Sequence, residues 1–428
     1  MKGMLLFLAC SMVSSKALAA GVAEDPAGRA LLLEAQQTIA AYHAGHAPAT
    51  NVLRVVYFVP KDGQPLSDYA ERVDRVVNDV SDFYRDGLRR FGIETTGLPL
   101  ERKDGKLVLH LVRGQLPASG YNANSDPAHE IGLALKRTMN INREYVLVLY
   151  ALSDHEPDGT YEFNAPFRGA PGSSQRNGLC HALDCELLDP LLLTETNRTI
   201  VFTSHAYNHV QLTDAQFNSW YLGGVAHELG HALGLPHDNG GSAEKQFGTS
   251  LMGVGNLTYR QELWGGGDPE HHLGRWVGPA PTYLGRASAL QLAAHPLFTG
   301  SDRGRWDTLK SNFQTLHFSV TNGLVRIQGV VTSSIPAYAV IGYVWPVDDK
   351  VDDHFARTFP CVLQDGAFAL DLESIPADHW HQFHLKLATL HANGAVTRKQ
   401  FNLHYDASSG PDVAALNEEW AASRRSRW

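Results

Sequence analysis

A chain of 428 residues exceeds one ordinary domain and is long enough to bury at least two separate cores. With 43% hydrophobic and 19% charged residues and no low-complexity tract, it reads as a folded chain rather than a disordered one. A formal net charge of −9 without any lysine- or arginine-rich run excludes the electrostatic footprint of a nucleic-acid or anionic-membrane binder, so no nucleic-acid partner is expected.

The chain opens with Lys2, an apolar run over 4–13 and Ala17-Leu18-Ala19, the three parts of a signal peptide over 1–19 with cleavage after Ala19. The apolar run is about half the ~20 residues that span a bilayer, so a transmembrane anchor is not expected. A lipid anchor at Cys10 is the weaker reading, because Phe7-Leu8-Ala9 fits poorly before an acylated cysteine. The mature protein is therefore expected outside the cytoplasm, extracellular or periplasmic. Of the three cysteines left, Cys180 and Cys185 are close enough in sequence for a small disulfide loop, with Cys361 free, although the pairing is not fixed by sequence.

Residues 20–50 form an N-terminal helical segment, with an amphipathic helix over 30–42 that is either a pro-segment or a brace on the next domain. A buried strand at 52–59 is followed by a long helix at 67–91, whose Tyr69, Val73, Val76, Val77, Val80, Phe83 and Tyr84 share one face. Further strands are predicted at 107–112, 145–150 and 199–203, and the long stretch between Ser153 and Asn197 is expected either to be functional, shaping a substrate cleft, or to carry short structure of its own. Strand, long helix and several strands imply an α/β (α+β) layered domain over 51–300, closed by a helix at 286–294. Beyond a linker at 300–304, short alternating runs at 316–320, 324–331, 337–344, 367–372, 383–390 and 399–405 predict an all-β sandwich domain over 306–406. A tail over 407–428 contains a short helix near 412–423.

The chemistry is concentrated in His227-Glu-Leu-Gly-His231-Ala-Leu-Gly234-Leu-Pro-His237-Asp238. Thr213 and Gln216 have capping-box spacing, so a helix begins near Asp214 and carries His227 and His231 one turn apart on one face. Gly234 lets that helix end in the left-handed conformation, Pro236 blocks its continuation, and the chain turns back to bring His237 to the same ion. Three imidazoles leave a fourth tetrahedral position open, the arrangement of a catalytic zinc site, and Glu228 is placed to act on a water there as general base. One catalytic Zn2+ is thus the expected cofactor; the sequence is silent on calcium.

The run His227, Glu228, His231, Gly234 and His237 resembles the signature of the metzincin clan of zinc metallopeptidases, His-Glu-x-x-His-x-x-Gly-x-x-His followed by a methionine turn. Gly230 and Asp238 make the local sequence similar to the matrixin and adamalysin branches. The resemblance implies a twisted mixed sheet with an active-site helix, peptide-bond hydrolysis on a protein or peptide substrate, and Met252 as the methionine beneath the metal, with Gly234 and Asp238 supporting the site. Val254, two residues after Met252, stands where some branches place a tyrosine ligand, so no tyrosine is expected on the metal.

The expected function is a secreted zinc endopeptidase; the alternatives are a zinc-containing binding or adhesion protein without peptidase activity, and a zinc amidase acting on cell-wall peptides. The β-domain is expected to bind substrate, a partner or a surface. His205 and His209, His271 and His272, and the group His379, His381 and His384 read better as loop or exposed-strand histidines than as further metal ligands, and Tyr259 better as a structural tyrosine than as an oxyanion donor.

Overall fold

The computed structural model describes residues 25–204, 208–264, 281–348, 353–373, 375, 379–406 and 409–425. The signal peptide expected at 1–19, Cys10, His205, His271 and His272 lie outside the described residues.

Helix α1 (Pro26–His43) starts where the Asp25 carboxylate accepts from the Gly28 N–H, with proline in its first turn. Its buried side chains, Leu32, Ala35 and Ile39, follow helical spacing. Strand β1 (Leu53–Val59) is buried along almost its whole length because sheet neighbours flank it on both edges and helices cover it. Helix α2 (Tyr69–Arg89) packs the face bearing Val73, Val76, Val77, Val80, Tyr84 and Leu88. Strands β2 (Leu109–Arg113), β3 (Tyr145–Ala151), β4 (Arg168–Ser173) and β5 (Asn177–Asp184), with helix α3 (Ala128–Leu135) between the first two, complete the principal sheet. Its order is β2-β1-β3-β5-β4, parallel except for the antiparallel edge strand β4.

The long stretch over 153–197 carries structure of its own, in the form of strands. Besides β4 and β5 it contains strands Ser153–His155 and Tyr161–Phe163, which join Thr199–Ser204 and Val210–Thr213 in a second, four-stranded sheet. Gly169, Pro171, Gly172 and Ser173 masked the pattern of β4, which lies at the exposed edge of the principal sheet, where strand propensity is weakest. The expected Cys180–Cys185 bridge does not form, and both thiols are free and buried. Cys180 lies within β5 and Cys185 immediately after it. Five extended residues separate them by about 17 Å and an odd spacing points them to opposite faces.

Helix α4 (Asp214–Ala232) lies under β4 and β5, and helix α5 (Arg286–Ala293) closes this region. The C-terminal region is β-rich: strands β6 (Ser311–Thr321), β7 (Leu324–Ser333), β8 (Ala337–Pro346), β9 (Arg357–Val362), β10 (Ala367–Leu372), β11 (Gln382–His391) and β12 (Val396–Asp406). They form two antiparallel sheets, β6-β7-β10 and β9-β8-β11-β12, the second extended by Gly410–Pro411. Strand β9 went unread because Pro360 interrupts it; at a sheet edge the missing N–H is tolerated. Phe318, Ile327, Leu370, Leu385 and Phe401 share one apolar cluster between these sheets, to which helix α6 (Val413–Arg425) adds Leu416 and Trp420.

The other face of the larger sheet joins the first core. Tyr338, Ile341, Tyr343, Ala388 and Leu390 belong to the cluster built from α1, α2, α4 and the principal sheet, and the Tyr338 hydroxyl donates to the Leu290 carbonyl at 2.8 Å. The chain turns into a second region after 300, but apolar packing runs continuously across that point.

His391, at the end of β11, is fully buried, and burial lowers its pKa to about 4. An unfolded chain takes up that proton near pH 6.5, so below that pH the unfolded state binds more protons and stability falls with falling pH until about pH 4. In urea unfolding, the stability advantage of the wild type over His391→Gln is expected to shrink by roughly 3 kcal/mol between pH 7 and pH 4. A pH-independent difference refutes this account of His391.

Candidate metal centre

Helix α4 carries the capping box read from the sequence: the Thr213 hydroxyl accepts from the Gln216 N–H at 3.2 Å, and the Gln216 side chain accepts from the Thr213 N–H at 2.9 Å. The helix ends where expected. Gly234 adopts φ +91° and donates its N–H to the His231 carbonyl, while Leu235 N–H reaches Gly230 O at 3.0 Å. A Cβ at Gly234 would lie 2.4 Å from Ser174 Cβ, so the tight turn needs glycine for space as well as for φ.

That turn returns His237 to the helix face. The His231 and His237 ring centroids are 4.6 Å apart, and His227 lies 4.8 Å from His231 and 5.4 Å from His237. Each ring places its Nδ1 against an oxygen: Leu251 O at 2.6 Å for His227, Leu235 O at 2.8 Å for His231, and the Asp353 carboxylate at 2.6 Å for His237. A carbonyl or carboxylate only accepts, so each Nδ1 carries the proton, and in the neutral ring each Nε2 presents a lone pair. His231 Nε2 and His237 Nε2 stand 3.1 Å apart. Two neutral lone pairs facing at that separation repel, unless a cation sits between them. Zinc bonds of about 2.0–2.1 Å at a tetrahedral angle separate two ligand nitrogens by roughly 3.3 Å. The donor set fits a zinc ion.

Burial favours the neutral, metal-ready form of the two rings on helix α4, holding His227 well below the ordinary histidine range and bringing His231 down to about 4, with the neighbouring imidazoles acting in the same direction. Burial also pushes the Glu228 carboxyl up to about 7, against the hydrogen bond from the Gly169 N–H at 2.6 Å.

Sequence reading missed His354. Its ring stacks on His237 with centroids 3.5 Å apart, and one ligand nitrogen each from His227, His237 and His354 lies within 4.8 Å of the others. Two imidazole triads therefore share His227 and His237, completed by His231 or by His354. The opposed Nε2 atoms favour His231, because a ring stacked flat on a ligand ring aims its nitrogens alongside that ligand's and not at a common centre. Residue 354 is far from the motif in sequence, and a lone histidine in a loop carries no spacing signal.

The supporting residues also lie here. Met252 is fully buried beneath Gly230, where a Cβ would come within 2.4 Å of Met252 Sδ, and the Asp238 N–H donates to Met252 O at 3.0 Å. The Asp238 carboxylate accepts from Gly240 N–H, Ser288 Oγ and Thr358 Oγ1 at 2.8–3.0 Å. Tyr259 is structural: it is buried and donates to Asp79 at 2.6 Å. His209 pairs with Asn208 on the surface, and His384 meets Gln400; neither joins a metal-binding cluster among the described residues.

Gly169 on the edge strand β4 is the second site residue missed from sequence. A Cβ there would stand 1.7 Å from the Glu228 carbonyl oxygen and 2.8 Å from His231 Cβ. Strand and helix touch backbone to backbone at the Glu228 peptide. Next to Glu228 opens a cavity of about 280 Å³ lined by Phe163, Phe167, Trp220, Tyr221, Ser204 and Asn256.

No protein-family model matches this chain, and no curated protein does. Among solved structures, the chain is similar in fold to OgpA from Akkermansia muciniphila. A catalytically inactive form of OgpA, crystallised in complex with an O-glycopeptide (glycodrosocin) substrate, superposes with a TM-score of 0.65 at 21% identity, covering 85% of this chain and 95% of that one. Wild-type OgpA gives TM-scores of 0.63 and 0.61 in two crystal forms, at 21% and 20% identity, with 85% of this chain covered and 95% and 96% of theirs. The shared fold takes in both the α/β region and the β-rich region.

Gly169→Ala is expected to destabilise the protein by about 1–3 kcal/mol or more, because the added methyl meets main chain and not a movable side-chain tip. Gly132→Ala, whose Cβ would sit 3.2 Å from Ile141 Cδ1 in helix α3, serves as a near-neutral comparison. Equal melting temperatures for the two variants would contradict the close approach of β4 to α4.

Proposed function

We propose that the protein is a secreted, zinc-dependent endopeptidase of the metzincin type. It is exported by the signal peptide over 1–19, with a catalytic unit over 51–300 followed by a β-sandwich over 306–406. The reading rests above all on the three Nδ1-protonated imidazoles of His227, His231 and His237, whose Nε2 lone pairs converge with Glu228 beside them. These three residues hold the zinc. When bound, zinc polarises a scissile carbonyl and acidifies a water molecule.

The rest of the chemistry belongs to the chain. Glu228 takes a proton from the attacking water and passes it to the leaving amine. The bond from Gly169 orients its carboxylate, and a pKa pushed by burial to about 7 suits a group that must both accept and return a proton near neutrality. The Met252 side chain packs under the helix turn bearing the ligands, and bonds from Ser288 and Thr358 anchor Asp238, the residue after His237.

For substrate, we propose a peptide carrying an O-linked sugar. The fold relative OgpA binds an O-glycopeptide as substrate, and the cavity beside Glu228 offers the aromatic faces of Phe163, Phe167, Trp220 and Tyr221 with the polar Ser204 and Asn256 at its wall. That combination suits a sugar, which has one apolar face and a rim of hydroxyls.

The test is incubation of the purified protein with matched peptides, with and without an O-glycan, followed by mass spectrometry. Cleavage of an internal bond in the glycosylated peptide, abolished by a chelator and restored by zinc, is expected. Glu228→Gln should bind zinc as the wild type does while losing at least about 100-fold in turnover. A fully active Glu228→Gln variant refutes the mechanism, and equal cleavage of both peptides refutes the substrate class.

The two imidazole triads are separated by metal binding. His231→Ala is expected to lose zinc at micromolar protein concentrations, whereas His354→Ala retains it; the reverse result makes His354 the third ligand.

A further inference from the structure

We propose that the C-terminal β-rich region is a working part of the metal centre, and that Asp353, in the segment between β8 and β9, is the positioning residue for His237. The inference rests on His237 being a zinc ligand, as proposed above.

The three imidazoles are not held alike. His227 and His231 ride on helix α4, and their Nδ1 protons go to the main-chain carbonyls of Leu251 and Leu235. His237 lies beyond the Gly234 turn, outside any helix, and among the described residues no carbonyl accepts from its Nδ1. Its acceptor is the Asp353 carboxylate, 2.6 Å away and 116 residues later in the chain. The same short segment grips the residues that follow. Asn239 N–H donates to Ala356 O at 2.8 Å, and Thr358 Oγ1 donates to the Asp238 carboxylate at 2.9 Å. Residues 237, 238 and 239 are thus each bonded to a residue between 353 and 358, and His354 covers the His237 ring at 3.5 Å.

A carboxylate at this place fixes the Nδ1–H tautomer as a carbonyl does, and its full negative charge also raises the electron density at Nε2, strengthening the bond to a cation. Such partners are worth about 10- to 100-fold in metal affinity. The β-rich region therefore sets the affinity of the third ligand, and the helix-borne pair alone holds the metal weakly.

Zinc affinity is measured on the full-length protein by competition with a chromophoric chelator, for the wild type, Asp353→Ala, Asp353→Asn, Asp353→Glu and His237→Ala. Asp353→Ala is expected to bind zinc about 10- to 100-fold more weakly, with the melting temperature of the metal-free protein unchanged. Asp353→Asn keeps an acceptor without the charge and should lose less, and Asp353→Glu should recover part of the loss. With saturating zinc, the residual defect should fall on kcat and leave KM unchanged, since Asp353 does not line the cavity beside Glu228. If Asp353→Ala and Asp353→Asn bind zinc within twofold of the wild type while His237→Ala loses it, the ligand assignment stands and the role of Asp353 is overturned. If His237→Ala keeps wild-type affinity, both fall. A loss in Asp353→Ala accompanied by an equal fall in metal-free stability, with no graded response in Asn and Glu, would make Asp353 merely structural and overturn the proposal.

Discussion

The site depends on a constraint of imidazole chemistry: a neutral ring carries one proton, so an acceptor at Nδ1 forces the lone pair onto Nε2. Three rings under that constraint meet here with their Nδ1 atoms taken by Leu251, Leu235 and Asp353. The lone pairs are left with no proton to share, and His231 and His237 hold theirs 3.1 Å apart. Without a cation this is an unfavourable arrangement, and the surrounding structure supports it at three levels. Helix α4 spaces the first two rings, the Gly234 turn returns the third, and the 353–358 segment holds it.

The second structural theme is close packing around that point. Gly169 and Gly178 on adjacent strands allow the sheet edge to lie on helix α4 so tightly that a Cβ at either position would fall 1.7 Å from a helix carbonyl, that of Glu228 or Ala232. This contact supplies the N–H that orients Glu228. On the far side, the larger β-sheet of the C-terminal region buries Tyr338, Ile341 and Tyr343 in the first core. Helix α1 spans both regions, packing on α5 and on strands β8 and β9, and Asp25 at its start pairs with Arg286 at 2.6 Å. With so much apolar surface shared, the two regions are not free to move as independent bodies.

Much of the element order was legible before any coordinates. Helical spacing in 67–91 and alternation in 367–372 reflect burial of a single face, and local periodicity reports that directly. Strands β4 and β9 went unread for one reason: Gly169, Pro171, Gly172 and Pro360 are acceptable there because both strands lie at sheet edges, and edge position is a property of the whole sheet. The absence of a Cys180–Cys185 bridge follows from the same misreading, since a flexible loop would have allowed the bridge and a strand does not.

The candidate site divides along the same line. His227, Glu228, His231, Gly234 and His237 fall within eleven consecutive positions, where helix pitch and the left-handed freedom of glycine determine which side chains can face one point. Backbone geometry over such a distance is written in the residues themselves. Asp353, His354 and Gly169 reach the site through a sheet edge and a distant loop, and none carries a local pattern that marks it. Which proton each imidazole keeps, and hence the direction of each lone pair, is decided by contacts made over up to 116 residues of chain. The cluster of three imidazoles was readable because it is local; its orientation was not, because hydrogen-bond partners at that separation are chosen by tertiary packing.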